Sequence, residues 1–171
     1  PMPRQLPAFA SNEAYVTWVK NNPHVCWRNC DVIPCGRRRY ELYNLNLCNM
    51  NDAPARFVFT VSGTNVPSGT ATFSTSDQQF KRFPVTAEID PEGETTANRP
   101  VIVPAHYCGA FTVVLEFDQP LPCDASIELD VYEVVPRTSG TPQHRLAGAQ
   151  EAAEDLALLG GYTFLAAPID S

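Results

Sequence analysis

The sequence has little lysine, few charged residues and no long apolar run. Only 18% of its 171 residues are charged, and only Lys20 and Lys81 are lysines, whereas charged residues usually make up about a quarter of a domain. No apolar run approaches the roughly 20 residues of a membrane span, and residues 1–30 lack the unbroken apolar stretch of a signal peptide. We therefore expect no membrane partner.

Sequence motifs of catalysis are also missing. The chain contains no G-x-S-x-G nucleophile motif, no phosphate-binding glycine loop and no dinucleotide fingerprint. His106 precedes Cys108 by two residues, but a catalytic Cys–His pair also needs an orienting group and an oxyanion site. We interpret His106 as a loop or edge residue, and the sequence predicts a protein that is not an enzyme and holds no cofactor.

Proline is abundant instead, and it separates a series of strand-like segments. The sixteen prolines stand between short runs of β-branched and aromatic residues, where turns and strand edges place them. Seven such runs follow one another without a helical pattern between them, which predicts a mainly β domain, an antiparallel β-sandwich of jelly-roll or immunoglobulin-like type. The runs are residues 40–48, 56–61, 69–75, 79–90, 99–105, 109–118 and 125–135.

Helical patterns are predicted on either side of this sandwich. Residues 11–22 carry an apolar stripe at helical spacing. Thr141 and Pro142 suit the first positions of a second helix, which the glycines at 160 and 161 would end, and residues 162–171 would form one more strand outside the sandwich. The predicted division is an extended N-terminal arm with a short helix and a Cys/Arg segment (1–39), a β-sandwich (40–136), and a C-terminal linker, helix and tail (137–171).

Six cysteines offer disulfide bonds, buried thiols or a metal site. Cys26 and Cys30 fit the spacing of one zinc knuckle, but a second knuckle is missing, so we assign no metal. The sequence allows either disulfide bonds or buried free thiols for these cysteines. The set comprises Cys26, Cys30, Cys35, Cys48, Cys108 and Cys123.

The last two cysteines flank a predicted strand, and its length keeps them apart. Residues 109–118 rise roughly 30 Å at strand geometry, and residues 119–122 recover at most about 14 Å of that distance. A disulfide needs Cα atoms within about 7 Å. The sequence therefore predicts that Cys108 and Cys123 are each free or bonded to an N-terminal cysteine.

Carboxylates stand two residues apart on three predicted strands, so each pair lies on one face. Such pairs can serve as the acid and base of a glycosidase or as calcium ligands, and residues 90–94 form an acidic turn. We prefer a solvated outer face of a half-exposed sheet. The pairs are Glu88 with Asp90, Glu116 with Asp118, and Glu128 with Asp130.

Charge is divided unevenly along the chain. Residues 1–56 carry seven basic and four acidic side chains, a net charge of +3, whereas residues 57–171 carry five basic and fifteen acidic ones, a net charge of −10. An acidic body disfavours nucleic acid, because phosphate binding needs clustered basic residues. We predict instead that the basic segment forms an interface with acidic groups of a neighbouring subunit. The predicted interface residues are Arg37, Arg38, Arg39, Trp18 and Trp27.

An acidic, proline-rich sandwich with extended ends and a basic arm is typical of an assembly subunit. Such ends favour strand addition and the exchange of contacts between subunits. We therefore expect a virion structural protein, a capsid cement or decoration protein or a small coat subunit, whose partners are other copies of itself and a major capsid protein. The alternative is a secreted, disulfide-stapled module that binds carbohydrate or a receptor, and a zinc-bearing interaction domain is a third hypothesis.

Overall fold

Ten β-strands make up the part of the chain that the structure, a computed structural model, describes: residues 29–136 and 154–168. Their bounds are β1 Asn29–Pro34, β2 Arg39–Asn49, β3 Ala55–Thr64, β4 Gly69–Ser74, β5 Val85–Ile89, β6 Thr95–Thr96, β7 Val101–Val103, β8 Tyr107–Phe117, β9 Ser126–Pro136 and β10 Glu154–Ala167. Seven of the ten, namely β2, β3, β4, β5, β7, β8 and β9, confirm the seven strands predicted from the sequence. The fold is mainly β.

The strands form two sheets that face each other. The first sheet has the order β1-β10-β9-β3-β6, with β7 also pairing with β3, and the second has the order β2-β8-β4-β5. Every pairing is antiparallel except that of β1 with β10, which is parallel. The chain passes between the sheets repeatedly, so each sheet contains strands that lie far apart in the sequence.

Aromatic side chains join the two sheets in one core. The ring of Phe59 on β3 stacks on that of Phe73 on β4, with the ring centroids 4.5 Å apart, and lies 5.1 Å from the ring of Phe111 on β8. Along β8 the residues alternate between buried and more exposed positions, as a strand with one face on a core requires. The arrangement is therefore sandwich-like.

The predicted C-terminal helix is wrong over the residues that the structure describes. Residues 154–159 belong to β10, which pairs with β9 from Glu154 to Leu165 and bulges between Leu158 and Gly160. Helix propensities of ordinary residues differ by at most about 0.7 kcal/mol, and the ladder with β9 outweighs that preference through backbone hydrogen bonds and cross-strand packing. The predicted helix at 11–22 and residues 137–153 lie outside the described residues.

The sandwich is not confined to residues 40–136. Strand β1 comes from the Cys/Arg segment and β10 from the C-terminal tail, and β10 lies between β1 and β9 within the first sheet. The expectation that the tail strand lies outside the sandwich is therefore wrong. In the part of the chain that the structure describes, no helix is long and apolar enough to cross a membrane.

Candidate functional site

Residues 36–39, the arginine turn, connect β1 in the first sheet with β2 in the second. Backbone hydrogen bonds hold this turn to β8, to β10 and to the β8–β9 connection. They run from the amide of Cys35 to the carbonyl of Ala167 (3.0 Å), from Gly36 to Leu121 (2.7 Å), from Leu121 to Arg37 (2.9 Å) and from Phe117 to Arg38 (2.7 Å). A segment tied at each successive residue presents its side chains in a fixed direction.

A disulfide and a tyrosine reinforce the turn. Cys35 bonds to Cys123 across a sequence separation of 88 residues. The buried hydroxyl of Tyr40 accepts a hydrogen bond from the amide of Arg37 at 3.1 Å. Burial raises the pKa of Tyr40, although the hydrogen bond and charge of Arg37 act in the opposite direction, so the phenol stays protonated at neutral pH. Gly36, with φ at +89°, occupies the left-handed region that favours glycine.

The three predicted interface arginines are all exposed. Arg39 forms an ion pair with Glu41 on the same strand, which balances its charge locally. Arg37 and Arg38 make no ion pair within residues 29–136 and 154–168. In the described part of the chain, two guanidinium groups on this hydrogen-bonded turn thus have no carboxylate partner. Trp18 and Trp27 lie outside the described residues.

All five described cysteines are disulfide-bonded. Cys35 pairs with Cys123 and Cys48 with Cys108, so the predicted absence of a Cys108–Cys123 bond is confirmed. Cys48 and Cys108 lie directly opposite each other on β2 and β8. The fifth described cysteine, Cys30, is also disulfide-bonded. Cys26 lies outside the described residues.

The predicted carboxylate pairs lie on outward-facing positions. Glu88, Asp90 and Asp118 line an open cleft of about 350 Å³ between the β3–β4 turn and the end of β5. Five of the six paired carboxylates are exposed, and Asp130 is half-buried. Among the described residues no group of three or more His, Cys, Asp or Glu side chains is arranged to hold a metal ion. The exposure of five of them fits the outer face of a half-exposed sheet.

The histidine and its neighbours have structural partners. His106 lies in the turn before β8, as expected, and its Nε2 is 2.6 Å from Oδ1 of Asp52. The hydroxyl of Tyr107 donates to Oδ2 of Asp77 at 2.5 Å, and this hydrogen bond is the main cause that lowers the pKa of Asp77. Cys108 is in a disulfide, so it offers no thiolate nucleophile beside His106.

One feature of the surface was not predicted from the sequence. Where β10 bulges, a groove of about 210 Å³ opens between the two sheets, lined by Leu47 and Asn46 of β2, Val131 of β9, and Leu159, Gly160 and Tyr162 of β10. We call it the bulge groove. The only local sequence feature that marks the groove is the Leu-Leu-Gly-Gly run at 158–161. The helical spacing of the leucines led instead to the prediction of a helix there.

Tyr162 lines the bulge groove and is hydrogen-bonded to the opposite sheet. Its hydroxyl accepts a hydrogen bond from the amide of Asn46 at 3.0 Å and donates one to the carbonyl of the same residue at 2.9 Å. These bonds occupy backbone groups of edge strand β2 that face away from β8. The tyrosine thus joins the two sheets at their open side.

Compared with protein families, with curated proteins and with solved structures, the chain matches none of them.

Proposed function

We propose that this protein is a non-enzymatic structural protein of a virus particle, a capsid cement or decoration protein or a small coat subunit, that binds its neighbours through its arms. The arginine turn is the observation that carries the proposal. Arg37 and Arg38 are exposed and form no ion pair with another described residue, and they stand on a segment held by four backbone hydrogen bonds and a disulfide. A preorganised element of this kind loses little conformational entropy when it docks.

The expected partners are other copies of the chain and a major capsid protein. Arginine forms forked, charge-assisted hydrogen bonds with carboxylates, and residues 57–171 of each copy carry a net charge of −10. The same charge disfavours nucleic acid as a partner. Complementary charge of this kind mainly sets the orientation and the rate of association.

We infer that the sandwich is immunoglobulin-like rather than a jelly roll. The order β2-β8-β4 in one sheet and β10-β9-β3 in the other corresponds to the orders B-E-D and G-F-C of that fold. The chain departs from antibody domains in its disulfides, which within the described residues join β2 to β8 and two connecting loops. An experimental structure that gave a different strand order would overturn this inference.

Charge reversal at the arginine turn tests the leading proposal. We expect the full chain to cosediment with virus particles from its native source, and the double substitution Arg37→Glu and Arg38→Glu to weaken that binding at least tenfold. The control substitutes Lys81→Glu and Arg82→Glu, which are exposed in the β4–β5 connection and change the net charge by the same amount. A chain that remains a monomer and binds no particle would contradict the proposal.

A secreted binding module is the second candidate, and the disulfides favour it. Disulfides persist in secreted proteins and on virion surfaces but are rare in the cytosol, and every described cysteine is in one. Free-thiol counting on protein taken directly from its source separates the candidates. Three disulfides in a secreted, particle-free protein that binds glycans would favour the module, whereas recovery of the chain within purified particles would favour the virion protein.

A further inference from the structure

We propose that the bulge groove receives residues 1–22, the first part of the N-terminal arm, from a second copy of this chain; these residues are called the arm below. The proposal rests on the proposed function, since it names the place where an arm of one subunit binds its neighbour. It is carried by the shape of the groove, by the exposed leucines at its mouth, and by the position at which the arm joins the described sheet.

Two leucines stand exposed at the bulge groove. Leu159, which lines the groove, is 49% exposed and its neighbour Leu158 is 61% exposed, although the sandwich buries most of its other large apolar side chains. Behind them the groove reaches Leu47 and Val131. Adjacent exposed leucines beside a cavity mark an interaction site more often than isolated apolar residues do. Among residues 29–136 and 154–168 nothing covers these leucines, so the groove is open to an occupant from outside this part of the chain.

The backbone geometry favours insertion of side chains over addition of a strand. An added strand needs free amide and carbonyl groups on the edge of β2, but Tyr162 already bonds to both groups of Asn46. The groove has room for one large side chain, and aromatic side chains are the commonest anchors of protein interfaces. The arm supplies such anchors, because Tyr15 and Trp18 lie in its apolar stripe.

The strand that follows the arm in sequence begins at the groove, and residues 1–22 carry a small positive charge. Asn29, the first residue of β1, lines the groove, so the preceding residues are attached at its rim. Residues 1–22 contain two basic side chains, Arg4 and Lys20, and one acidic one, Glu13. Asp31 is exposed and follows Asn29 by two residues on β1, so its carboxylate shares a strand face with a residue that lines the groove. Two copies can therefore exchange arms reciprocally, which is the arrangement of a closed dimer.

A substitution that fills the groove tests the proposal. Gly160 lines the groove, a Cβ there would meet no atom within 4 Å and its φ is not positive, so Gly160→Leu adds a bulky side chain at the wall of the groove without a clash at its Cβ. We expect the full chain to self-associate in sedimentation equilibrium, and Gly160→Leu to weaken self-association at least tenfold. Gly93→Leu is the control, because a Cβ there makes only an ordinary contact of 3.7 Å with Asp90.

A mixing experiment identifies the occupant. A chain without residues 1–22 keeps its groove but lacks the arm, and the Gly160→Leu chain keeps the arm but lacks the groove. We expect each to be a monomer alone and the mixture to form a one-to-one complex. Self-association that survives both changes overturns the proposal, as does a mixture that stays monomeric while the full chain associates.

These outcomes separate the groove from the proposed function. If Gly160→Leu leaves self-association intact while the arginine-turn substitutions abolish particle binding, the groove proposal fails and the virion proposal stands. If the full chain is a monomer that binds no particle, both fail. If it is a monomer that binds particles, only the groove proposal fails.

Discussion

Removal of the Cys35–Cys123 disulfide tests how the arginine turn is held. The two cysteines are 88 residues apart in sequence, and the chain-entropy account assigns about 4.5 kcal/mol to closing a loop of that length in the unfolded chain. The backbone hydrogen bonds of Gly36 and Arg37 with Leu121 remain when the sulfur atoms are removed. We therefore expect the folded turn to survive and the free energy of unfolding to fall by about 3–5 kcal/mol.

The measurement is urea denaturation of the double variant Cys35→Ser, Cys123→Ser without reducing agent. The matched variant Cys48→Ser, Cys108→Ser opens a loop with a separation of 60 residues. Loop length enters the entropy as a logarithm, so the two losses should agree within about 0.5 kcal/mol by the same account. A loss below about 1 kcal/mol for the first pair would refute the reasoning, because the unfolded chain would then gain little freedom.

Two further predictions concern close packing and titration. A Cβ at Gly69 would overlap the backbone carbonyl of Glu116, whereas a Cβ at Gly160 would meet open space. We therefore expect Gly69→Ala to lower the free energy of unfolding by about 1–3 kcal/mol or more, and Gly160→Ala not to lower it. Equal urea midpoints for the two variants would contradict this. The hydrogen bond from Tyr107 and the amide of Gln79 lower the pKa of Asp77 below its ordinary value of 3.8. A carboxylate whose pKa is lowered by folding stabilises the folded state above its unfolded-state pKa, and this stabilisation is lost as the pH falls through its folded-state pKa. The difference in unfolding free energy between wild type and Asp77→Asn should therefore be present at about pH 6 and shrink below about pH 3.8. A difference that grows in acid would refute the assignment.

The strands within residues 40–136 were predictable because the sequence pattern that indicates each of them is local. Residues 109–118 alternate apolar and polar side chains, and the burial of β8 follows that alternation. The length of this strand also separated Cys108 from Cys123 without any knowledge of the fold. Period-two alternation, turn residues and strand length are properties of short segments, so a single sequence contains them.

The outer strands were not predictable, because partners distant in sequence decide them. Residues 154–159 have the leucine spacing of a helix, but pairing with β9 makes them a strand. Strand β1 has no alternation strong enough to identify it, and it is held by its parallel partner β10. Neither segment by itself shows that hydrogen bonds to a distant strand will override its own conformational preference.

The candidate site divides in the same way. The sequence by itself determined that arginines 37–39 form a basic segment against an acidic body, and that Cys108 does not pair with Cys123. Only the tertiary structure decided that Arg39 is neutralised by Glu41, that Cys35 bonds to Cys123, and that a groove opens beside Gly160. Composition and spacing are fixed along the chain, whereas ion pairs, disulfide partners and grooves depend on which distant residues the two sheets bring together.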